Sequence, residues 1–268
     1  MNYWTNLSVE FASQKNYLDE LYKVYPIIPN IKRSLDEKLW NAIETAYNNH
    51  DNVNLIKALL KSELFPIKDS YVAYLRRDPN SIERNPNTIN RIAGNLYQYS
   101  LDKIYENCTQ PKETNRQIGP MFKRWISQGT LGCKIYNDAD AFLLSKENAV
   151  LNISDEGMKT FAATNLGYRR LDKGLDFIAR FNGKYIIAEA KFLTDFGGHQ
   201  DAQFDDAITT IKSDLTIPNS MNADVIKIAI MDGVLYIIGN NKMYKHLKNH
   251  PDQIILSSLI LREYLYTL

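Results

Sequence analysis

Several features that define other protein classes are scarce or absent in this sequence of 268 residues. There are only two cysteines, Cys108 and Cys133, so we expect neither a disulfide framework nor a cysteine metal site. No apolar run approaches the roughly 18 residues that a membrane-spanning helix needs. The first residues also lack the basic and apolar segments of a signal peptide. We therefore expect a protein without membrane association that works in the reducing cytoplasm.

Cofactor motifs are missing as well. The sequence contains no glycine-rich phosphate loop and no nucleophile elbow, which argues against a metabolic enzyme that depends on a nucleotide cofactor. The net charge is only +1, so bulk charge does not identify a partner. The composition, 44% hydrophobic and 24% charged, is that of a globular chain with a sizeable core. The length fits one large domain or two small ones.

The most informative stretch is a predicted β-hairpin in the C-terminal half of the chain. Two β-type runs, Leu175–Phe181 and Tyr185–Phe192, are separated by Asn182-Gly183. Asn-Gly between apolar runs is the strongest short hairpin signal, because both residues tolerate positive φ. Residues 186–188 are all apolar, which indicates that the second strand is buried on both faces.

This hairpin brings charged side chains together in an apolar setting. Side chains alternate between the faces of a strand, so Glu189 and Lys191 share one face, and the hairpin folds Asp176 back beside them. Two close carboxylates repel each other unless a cation lies between them, and Mg²⁺ is commonly held by one or two carboxylates. A neighbouring lysine can then orient or deprotonate an attacking water. A plain edge hairpin with a solvated Glu-x-Lys face is the alternative interpretation.

Asp176 followed by Glu189-Ala190-Lys191 resembles the motif of the PD-(D/E)xK nuclease superfamily, which includes most type II restriction endonucleases. Leu175 stands where these enzymes usually have a proline. The resemblance implies that Asp176 and Glu189 bind Mg²⁺, which Mn²⁺ can replace, and that the Ala190 carbonyl is a third ligand. It also implies that Lys191 acts on the attacking water.

In restriction enzymes similar to this chain, a helix before the hairpin often adds an acid to the metal site. Ser154 is predicted to cap such a helix, which runs to about Asn165. Glu156 and its neighbour Asp155 are therefore candidate metal ligands by resemblance. The favourable position of acids in the first turn of a helix explains both residues equally well.

Residues 66–135 carry an uneven share of the positive charge. They hold eleven Lys or Arg residues against six acids, a net charge of +5, whereas the rest of the chain carries −4. Such asymmetry is typical of a polyanion-binding surface beside an acidic catalytic part. Because Arg reads guanine, Asn and Gln read adenine, and Arg and Lys grip phosphates, we predict DNA-contacting loops that include Arg76, Arg77, Arg84, Asn90, Arg91, Lys112, Asn115, Arg116 and Gln117. For any single one of these residues, a solvated loop remains the alternative.

Further DNA contacts are predicted on both sides of the hairpin. Arg169 and Arg170 precede it and are placed to hold the phosphate backbone. A helix over about His199–Lys212 follows it and is expected to flank the active site. On this helix, the side chains predicted to meet the scissile phosphate or a base are His199, Gln200 and Gln203.

The remaining elements are predicted from apolar spacing and capping residues. In the N-terminal region we expect a helix over Ser8–Tyr25, a second helix capped by Ser34 and a third over Asn54–Leu64. Asp140–Leu144 and Ala149–Ile153 fit either two short strands or a helix and a strand. Asp224–Met231 is expected to be a buried strand that turns at Asp232-Gly233 into another strand over Val234–Ile238.

These features predict an α/β chain with a PD-(D/E)xK core in residues 136–268, a mixed sheet flanked by helices, after a largely helical region in residues 1–135. By resemblance, the expected function is sequence-specific, Mg²⁺-dependent cleavage of double-stranded DNA by a type II restriction endonuclease. A homodimer follows if the site is palindromic, and a companion DNA methyltransferase is expected. A repair nuclease or junction resolvase would carry the same hairpin but would read DNA shape. A catalytically silent DNA-binding module would have no reason to keep Asp176, Glu189 and Lys191 together.

Overall fold

The computed structural model describes residues 1–26, 32–111, 117–170, 172–216 and 224–268. The chain divides into two compact units. The sheet unit consists of Met1–Ile27 and Thr114–Leu268, and the helical unit consists of Ile28–Glu113. The units thus divide at other points than the boundary expected between residues 135 and 136, because both the N-terminal residues and those just before the first strand pack with the sheet.

The helices of the described residues are α1 (Tyr3–Ala12), α2 (Tyr17–Val24), α3 (Glu37–Asn48), α4 (Asn52–Leu59), α5 (Ser70–Arg77), α6 (Ser81–Arg84), α7 (Pro86–Leu96), α8 (Leu101–Cys108), α9 (Ile118–Ser127), α10 (Ala139–Leu144), α11 (Asp155–Asn165), α12 (Gly198–Lys212), α13 (Lys242–Asn249) and α14 (Leu261–Tyr266). Helices α3 to α8 form the helical unit, and the others belong to the sheet unit. None of these helices combines the length and the apolar character that crossing a bilayer requires.

The strands are β1 (Lys134–Tyr136), β2 (Ala149–Leu151), β3 (Phe177–Phe181), β4 (Lys184–Leu193), β5 (Val225–Gly233) and β6 (Ile255–Leu256). Within the described residues they form one sheet in which the strand order follows the chain. Pairs β2–β3 and β3–β4 are antiparallel, whereas β1–β2, β4–β5 and β5–β6 are parallel. The mixed α/β architecture expected from the sequence is therefore confirmed. The uncertain stretch before the hairpin is a helix, α10, followed by a strand, β2.

The predicted hairpin is present as β3 and β4. Asn182 and Gly183 both have positive φ, 48° and 82°, as a two-residue hairpin turn of this kind requires. The register pairs Phe181 with Lys184 at the turn and Phe177 with Ala188 at the far end. This register places the residue before β3 opposite Glu189.

Strand β4 is buried on both faces, as its composition predicts. Ile186 belongs to a large apolar cluster that includes Phe122 of α9. Ile187 belongs to a second cluster with Phe142 of α10 and Phe161 of α11. Full burial of an isoleucine side chain contributes about 1.5–3 kcal/mol, so the hairpin is anchored from both sides and provides a rigid base for the side chains at its open end.

The single helix expected over Ser8–Tyr25 is wrong, because the chain forms two helices there. Helix α1 ends at Ala12 and α2 begins at Tyr17. Ser13 follows α1, and its hydroxyl donates a 2.7 Å hydrogen bond to the Glu10 carbonyl oxygen. Polar side chains of this kind compete with the helical backbone, and a run of them between apolar stretches ends a helix.

The expected bounds of the next two helices are also displaced. The N-cap of α3 is Asp36 rather than Ser34, and its carboxylate accepts a 2.9 Å hydrogen bond from the Leu39 amide. Helix α4 begins at Asn52, directly after the capping residue Asp51, and ends at Leu59. Aspartate caps as well as serine does, so the sequence offered two competing caps within three residues.

The strand expected over Val234–Ile238 is wrong. Residues Val234–Tyr236 form a 3₁₀ turn instead. The reason lies at Gly233, which has a φ of 100° and stands so close to β4 that a Cβ atom would be 1.9 Å from the Leu193 carbonyl oxygen. The backbone therefore leaves the sheet at this glycine.

Replacing Gly233 by alanine is expected to destabilise the fold by about 3 kcal/mol or more, because the added methyl would overlap with the β4 backbone at a strained φ. The measurement is the free energy of unfolding in urea. Gly239→Ala is the matched control, since its nearest neighbour is 3.8 Å from the added atom. Equal stability of both variants would show that this close approach is absent in solution.

Candidate functional site

The open end of the hairpin places the predicted catalytic side chains together. Asp176 directly precedes β3, and Glu189, Ala190 and Lys191 lie in β4. The Ala190 amide donates a 2.9 Å hydrogen bond to Asp176 Oδ2, which fixes the aspartate against the neighbouring strand. The loop before Asp176 and the second half of β4 therefore meet at one point, as the alternation of side chains predicts.

Three oxygen atoms surround the Lys191 ammonium group. Lys191 Nζ lies 2.8 Å from Asp176 Oδ2, 2.7 Å from Glu189 Oε2 and 3.1 Å from the Ala190 carbonyl oxygen. Glu189 is 1% exposed, and the Asp176 and Lys191 side chains are also largely buried. Two buried carboxylates thus share one cation, so a single positive centre can satisfy both of them.

The electrostatics of this group are strongly perturbed. Burial raises the pKa of Glu189 to about 7, and the negative charge of Asp176 adds to this shift. Burial acts on Asp176 in the same direction, but Lys191 outweighs it and holds the Asp176 pKa below its usual value. The pKa of Lys191 is raised although burial opposes this, because both acids stabilise its charged form. The site therefore disfavours the negative charge of Glu189, and a nearby cation relieves this.

The donor atoms fit the Mg²⁺ site that the motif implies. Among the described residues, no three His, Cys, Asp or Glu side chains are grouped as a metal site. The available set is two carboxylates and one carbonyl, and Mg²⁺ is commonly bound by one or two carboxylates with water and phosphate oxygens filling the other positions. The three oxygens expected as ligands are also the three that surround the Lys191 ammonium.

Helix α11 does not bring its acids into this group. The Glu156 side chain is 72% exposed and pairs with Lys159 at 2.8 Å. The Asp155 carboxylate forms an ion pair with Lys123. The Asp155 carbonyl oxygen instead accepts a 3.2 Å hydrogen bond from the Leu175 amide. The helix therefore supports the loop that carries Asp176, and the structure places Glu156 apart from the other proposed ligands.

The loop before Asp176 packs closely against α11 at Gly174. A Cβ atom at Gly174 would lie 2.6 Å from Asp155 Cβ and 3.0 Å from its backbone carbonyl carbon. A side chain at this position would push the loop away from α11. The position of Asp176 two residues later thus depends on a glycine that the sequence motif does not include.

Two residues that sequence reasoning missed lie beside the group. Lys173 Nζ is 3.3 Å from Glu189 Oε2, and the same ammonium forms an ion pair with Asp206 of α12. Lys173 precedes the motif by only three residues, so its charge and position were a usable signal. Asp206 had no local signal, because its approach depends on how α12 packs on the sheet.

Arg170 was predicted to hold the DNA backbone, but the structure places it in contacts within the protein. Its guanidinium forms an ion pair with Asp206 and donates hydrogen bonds to the Asp206 carbonyl oxygen at 2.7 Å and to Thr210 Oγ1 at 2.9 Å. Its Nε also donates to Asp172 at 3.1 Å. Arg170 therefore fastens the loop before the hairpin to α12. Arg169 is exposed.

The polar side chains predicted at the start of α12 divide in the same way. Gln200 is buried, and its amide oxygen accepts a 3.3 Å hydrogen bond from the Thr194 amide, so it holds the chain that leaves β4. His199 is exposed, and its Nε2 lies 3.0 Å from the Gln203 amide nitrogen. Of the three, His199 and Gln203 are the side chains that are not buried.

Residues 66–135 form helices at several positions where loops were expected. Arg76 and Arg77 end α5, Arg84 ends α6, and Asn90 and Arg91 lie in α7. The loop prediction is therefore wrong for these residues. Pro86 occupies the first turn of α7, where a proline starts a helix without losing a hydrogen bond.

Several of these side chains have partners within the helical unit. Arg84 pairs with Asp78 at 2.5 Å and Arg91 with Asp69 at 2.6 Å. Arg76 donates to the Ser62 carbonyl oxygen at 2.8 Å, and Asn90 accepts a 2.8 Å bond from Asn52. Arg77 is exposed. Gln117 is half-buried directly before α9, and the predicted contacts Lys112, Asn115 and Arg116 lie outside the described residues.

Comparison with known proteins adds an independent finding. A family model described as "Tsp45I type II restriction enzyme" matches residues 2–268, nearly the full length of the chain. No curated protein and no solved structure matches the chain.

Proposed function

Because the chain belongs to the Tsp45I family of type II restriction enzymes, and is therefore a sequence-specific endonuclease acting on DNA, we propose that it cleaves double-stranded DNA in a Mg²⁺-dependent reaction on a PD-(D/E)xK core. The observation that carries this proposal is the set of three oxygens around Lys191 Nζ at 2.7–3.1 Å. The family match over nearly the whole chain favours a restriction enzyme over a repair nuclease or junction resolvase.

The proposed site assigns a separate task to each residue. Asp176, Glu189 and the Ala190 carbonyl hold the metal. When bound, Mg²⁺ polarises the scissile phosphate and lowers the pKa of an attacking water. Lys191 moves out from between the carboxylates and directs its ammonium at the water, which it orients for in-line attack. The P–O3′ bond breaks, so the products carry a 5′-phosphate and a 3′-hydroxyl.

The contacts of β4 explain how this geometry is maintained. Glu189 is fixed in the most buried part of the group, and the Ala190 amide holds Asp176 in place from the same strand. A site built on a packed strand keeps its reacting groups within small tolerances, which is a large part of the advantage of enzymatic catalysis. Lys191 carries its ammonium on a flexible four-carbon stem, so it is the member of the group that changes partners in the proposed mechanism.

The proposal also includes the partners of the enzyme. One Asp–Glu–Lys group serves one DNA strand, so cleavage of both strands of a palindromic site calls for a two-fold homodimer. A restriction enzyme in the cytoplasm also endangers host DNA, so a companion methyltransferase of the same specificity completes the system. Among the predicted DNA contacts, we propose that the exposed Arg77, Arg169 and His199 meet the DNA.

Incubation of the purified protein with plasmid DNA and Mg²⁺ is expected to give discrete fragments, and addition of EDTA is expected to stop cleavage completely, because no other group in the proposed mechanism activates the phosphate. The fragments and their ends are measured by electrophoresis and sequencing. Mn²⁺ should restore the EDTA-treated enzyme. A smear, or cutting that persists in EDTA, would contradict the proposed specificity or the metal requirement respectively.

A further inference from the structure

A second lysine lies at the active site without a role in the mechanism above. Lys173 Nζ is 3.3 Å from Glu189 Oε2, the same oxygen that Lys191 contacts at 2.7 Å. The Lys173 side chain is 38% exposed, compared with 15% for Lys191. Lys173 therefore reaches the buried glutamate from the solvent side, which is the side from which DNA must approach.

Asp206 holds Lys173 in this position. The Asp206 carboxylate forms ion pairs with both Lys173 and Arg170. Arg170 is further bonded to the Asp206 carbonyl oxygen and to Thr210. The Asp206 carboxylate is thus fixed on α12, and within the described residues it is an ion-pair partner of the Lys173 ammonium besides Glu189.

The charged side chains around Glu189 form an alternating series. The described side chains alternate in sign, in the order Asp176, Lys191, Glu189, Lys173, Asp206 and Arg170. If Glu189 held a divalent ion, it would no longer need the ammonium groups as electrostatic partners. Lys173 then keeps Asp206 but loses its attraction to Glu189, so a positive charge becomes available beside the metal ligand.

A phosphodiester is the group that fits this charge. A metal held by Glu189 would take a non-bridging oxygen of the scissile phosphate as a further ligand. The Lys173 ammonium lies 3.3 Å from Glu189 Oε2, so a phosphate oxygen that met a metal at Glu189 would come close to this ammonium. A lysine is a common phosphate partner because its ammonium acts as a compact point charge.

Resting on the proposed nuclease function, we propose that Lys173 is a phosphate-contact residue: positioned by Asp206, it exchanges Glu189 for a non-bridging oxygen of the scissile phosphate when metal and DNA bind. Asp206 is accordingly a positioning residue, which acts through Lys173. No bond is made or broken by either side chain in this step.

The test measures whether Lys173 responds to the charge of that one phosphate. Once the cleavage position is known, a cognate duplex is made with the scissile phosphate replaced by a neutral methylphosphonate. Dissociation constants are measured in Ca²⁺, which allows binding without cleavage, for wild type, Lys173→Ala and Lys173→Arg. Lys184→Ala serves as the matched control because it removes a lysine from the turn end of the same hairpin.

Lys173→Ala is expected to weaken binding of the unmodified duplex by about 10-fold, the usual effect of a hydrogen bond to a charged group. Replacing the scissile phosphate by methylphosphonate is expected to weaken binding by the wild-type enzyme. For Lys173→Ala, this additional loss of affinity should be about 10-fold smaller than for wild type. Lys173→Arg should lose most of the affinity that wild type loses on methylphosphonate substitution, and Lys184→Ala should lose all of it. Asp206→Asn should give a loss of affinity between those of wild type and Lys173→Ala, since Lys173 then loses the ion pair that positions it.

If Lys173→Ala lost as much affinity as wild type on methylphosphonate substitution, Lys173 would not sense the phosphate. That result would overturn this inference while leaving the nuclease function intact. Failure of the wild-type enzyme to cleave any plasmid in Mg²⁺ would overturn the proposed function, and this inference with it. The two failures are therefore distinguishable by the behaviour of the unmodified enzyme.

Discussion

Lys191→Ala is expected to lower the rate of DNA cleavage by about 10³-fold, within the range of 10²–10⁴ that a positioned proton-transfer group contributes. The reason is that Lys191 is the cation closest to both carboxylates and, in the proposed mechanism, the group that orients the attacking water. Specific binding in Ca²⁺ should stay within a few-fold of wild type, because base recognition lies elsewhere. The measurements are single-turnover cleavage and a gel-shift titration with the cognate duplex.

The control for this variant is Lys184→Ala, which lies in the same strand at the hairpin turn and should cleave at the wild-type rate. A second check is the free energy of unfolding in EDTA, which should be lower for Lys191→Ala than for wild type. Removing Lys191 leaves the buried Asp176 and Glu189 without their shared ammonium, which is costly for a buried ion pair. A Lys191→Ala enzyme that cuts at the normal rate would remove Lys191 from the mechanism.

Asp176→Asn and Glu189→Gln are each expected to abolish the stabilisation of the protein by Mg²⁺ and to lower cleavage by about 10³-fold or more. Both substitutions keep the shape of the side chain but remove the negative charge that attracts the ion. For wild type, Mg²⁺ at about 100 times its dissociation constant should contribute about 2.7 kcal/mol, a rise in Tm of roughly 5–10 °C. Thermal unfolding with and without Mg²⁺ measures this directly, independently of activity.

The control for the charge-removing variants is Asp140→Asn, which removes an exposed acid from the same unit. Its Mg²⁺-induced rise in Tm should equal that of wild type. If Asp176→Asn or Glu189→Gln retained the full rise, the ion would be bound elsewhere and the oxygens of the hairpin would not be its ligands.

The hairpin could be predicted because its information is local. Asn182-Gly183 fixes the turn, and alternation then determines which side chains share a face. Asp176, Glu189 and Lys191 all lie within this one hairpin and its immediate approach, so their meeting needed no knowledge of the rest of the fold. The mixed sheet followed from the same kind of pattern, since residues 186–188 of β4 and 228–231 of β5 are consecutive apolar residues, which indicates strands buried on both faces.

The surroundings of the site could not be predicted because they depend on packing between distant segments. Asp206 reaches Lys173 and Arg170 only once α12 has docked on the sheet. Arg170 was therefore assigned to DNA although the fold uses it to fasten a loop. In the same way Glu156, in a correctly predicted helix, faces solvent. Helix α11 contacts the loop before the hairpin through the backbone of its first residue instead.

Local signals also failed where two of them competed. Pro86 favours both the end of one helix and the start of the next, and the structure uses the second role. The prediction of basic loops rested on charge and residue type, which do not distinguish a loop from an exposed helix. Gly233 was interpreted as a turn between two strands, whereas its close approach to the Leu193 carbonyl sends the chain out of the sheet.

The central claim is that one cation is held by Asp176, Glu189 and the Ala190 carbonyl, and a crystal soaked with Mn²⁺ tests it most directly. The anomalous difference map is predicted to show a peak within about 2.5 Å of all three oxygens, with Lys191 Nζ displaced from its position between the two carboxylates. A map with Lys191 still in that position and no peak beside it, in crystals that bind Mn²⁺ elsewhere, would contradict the account.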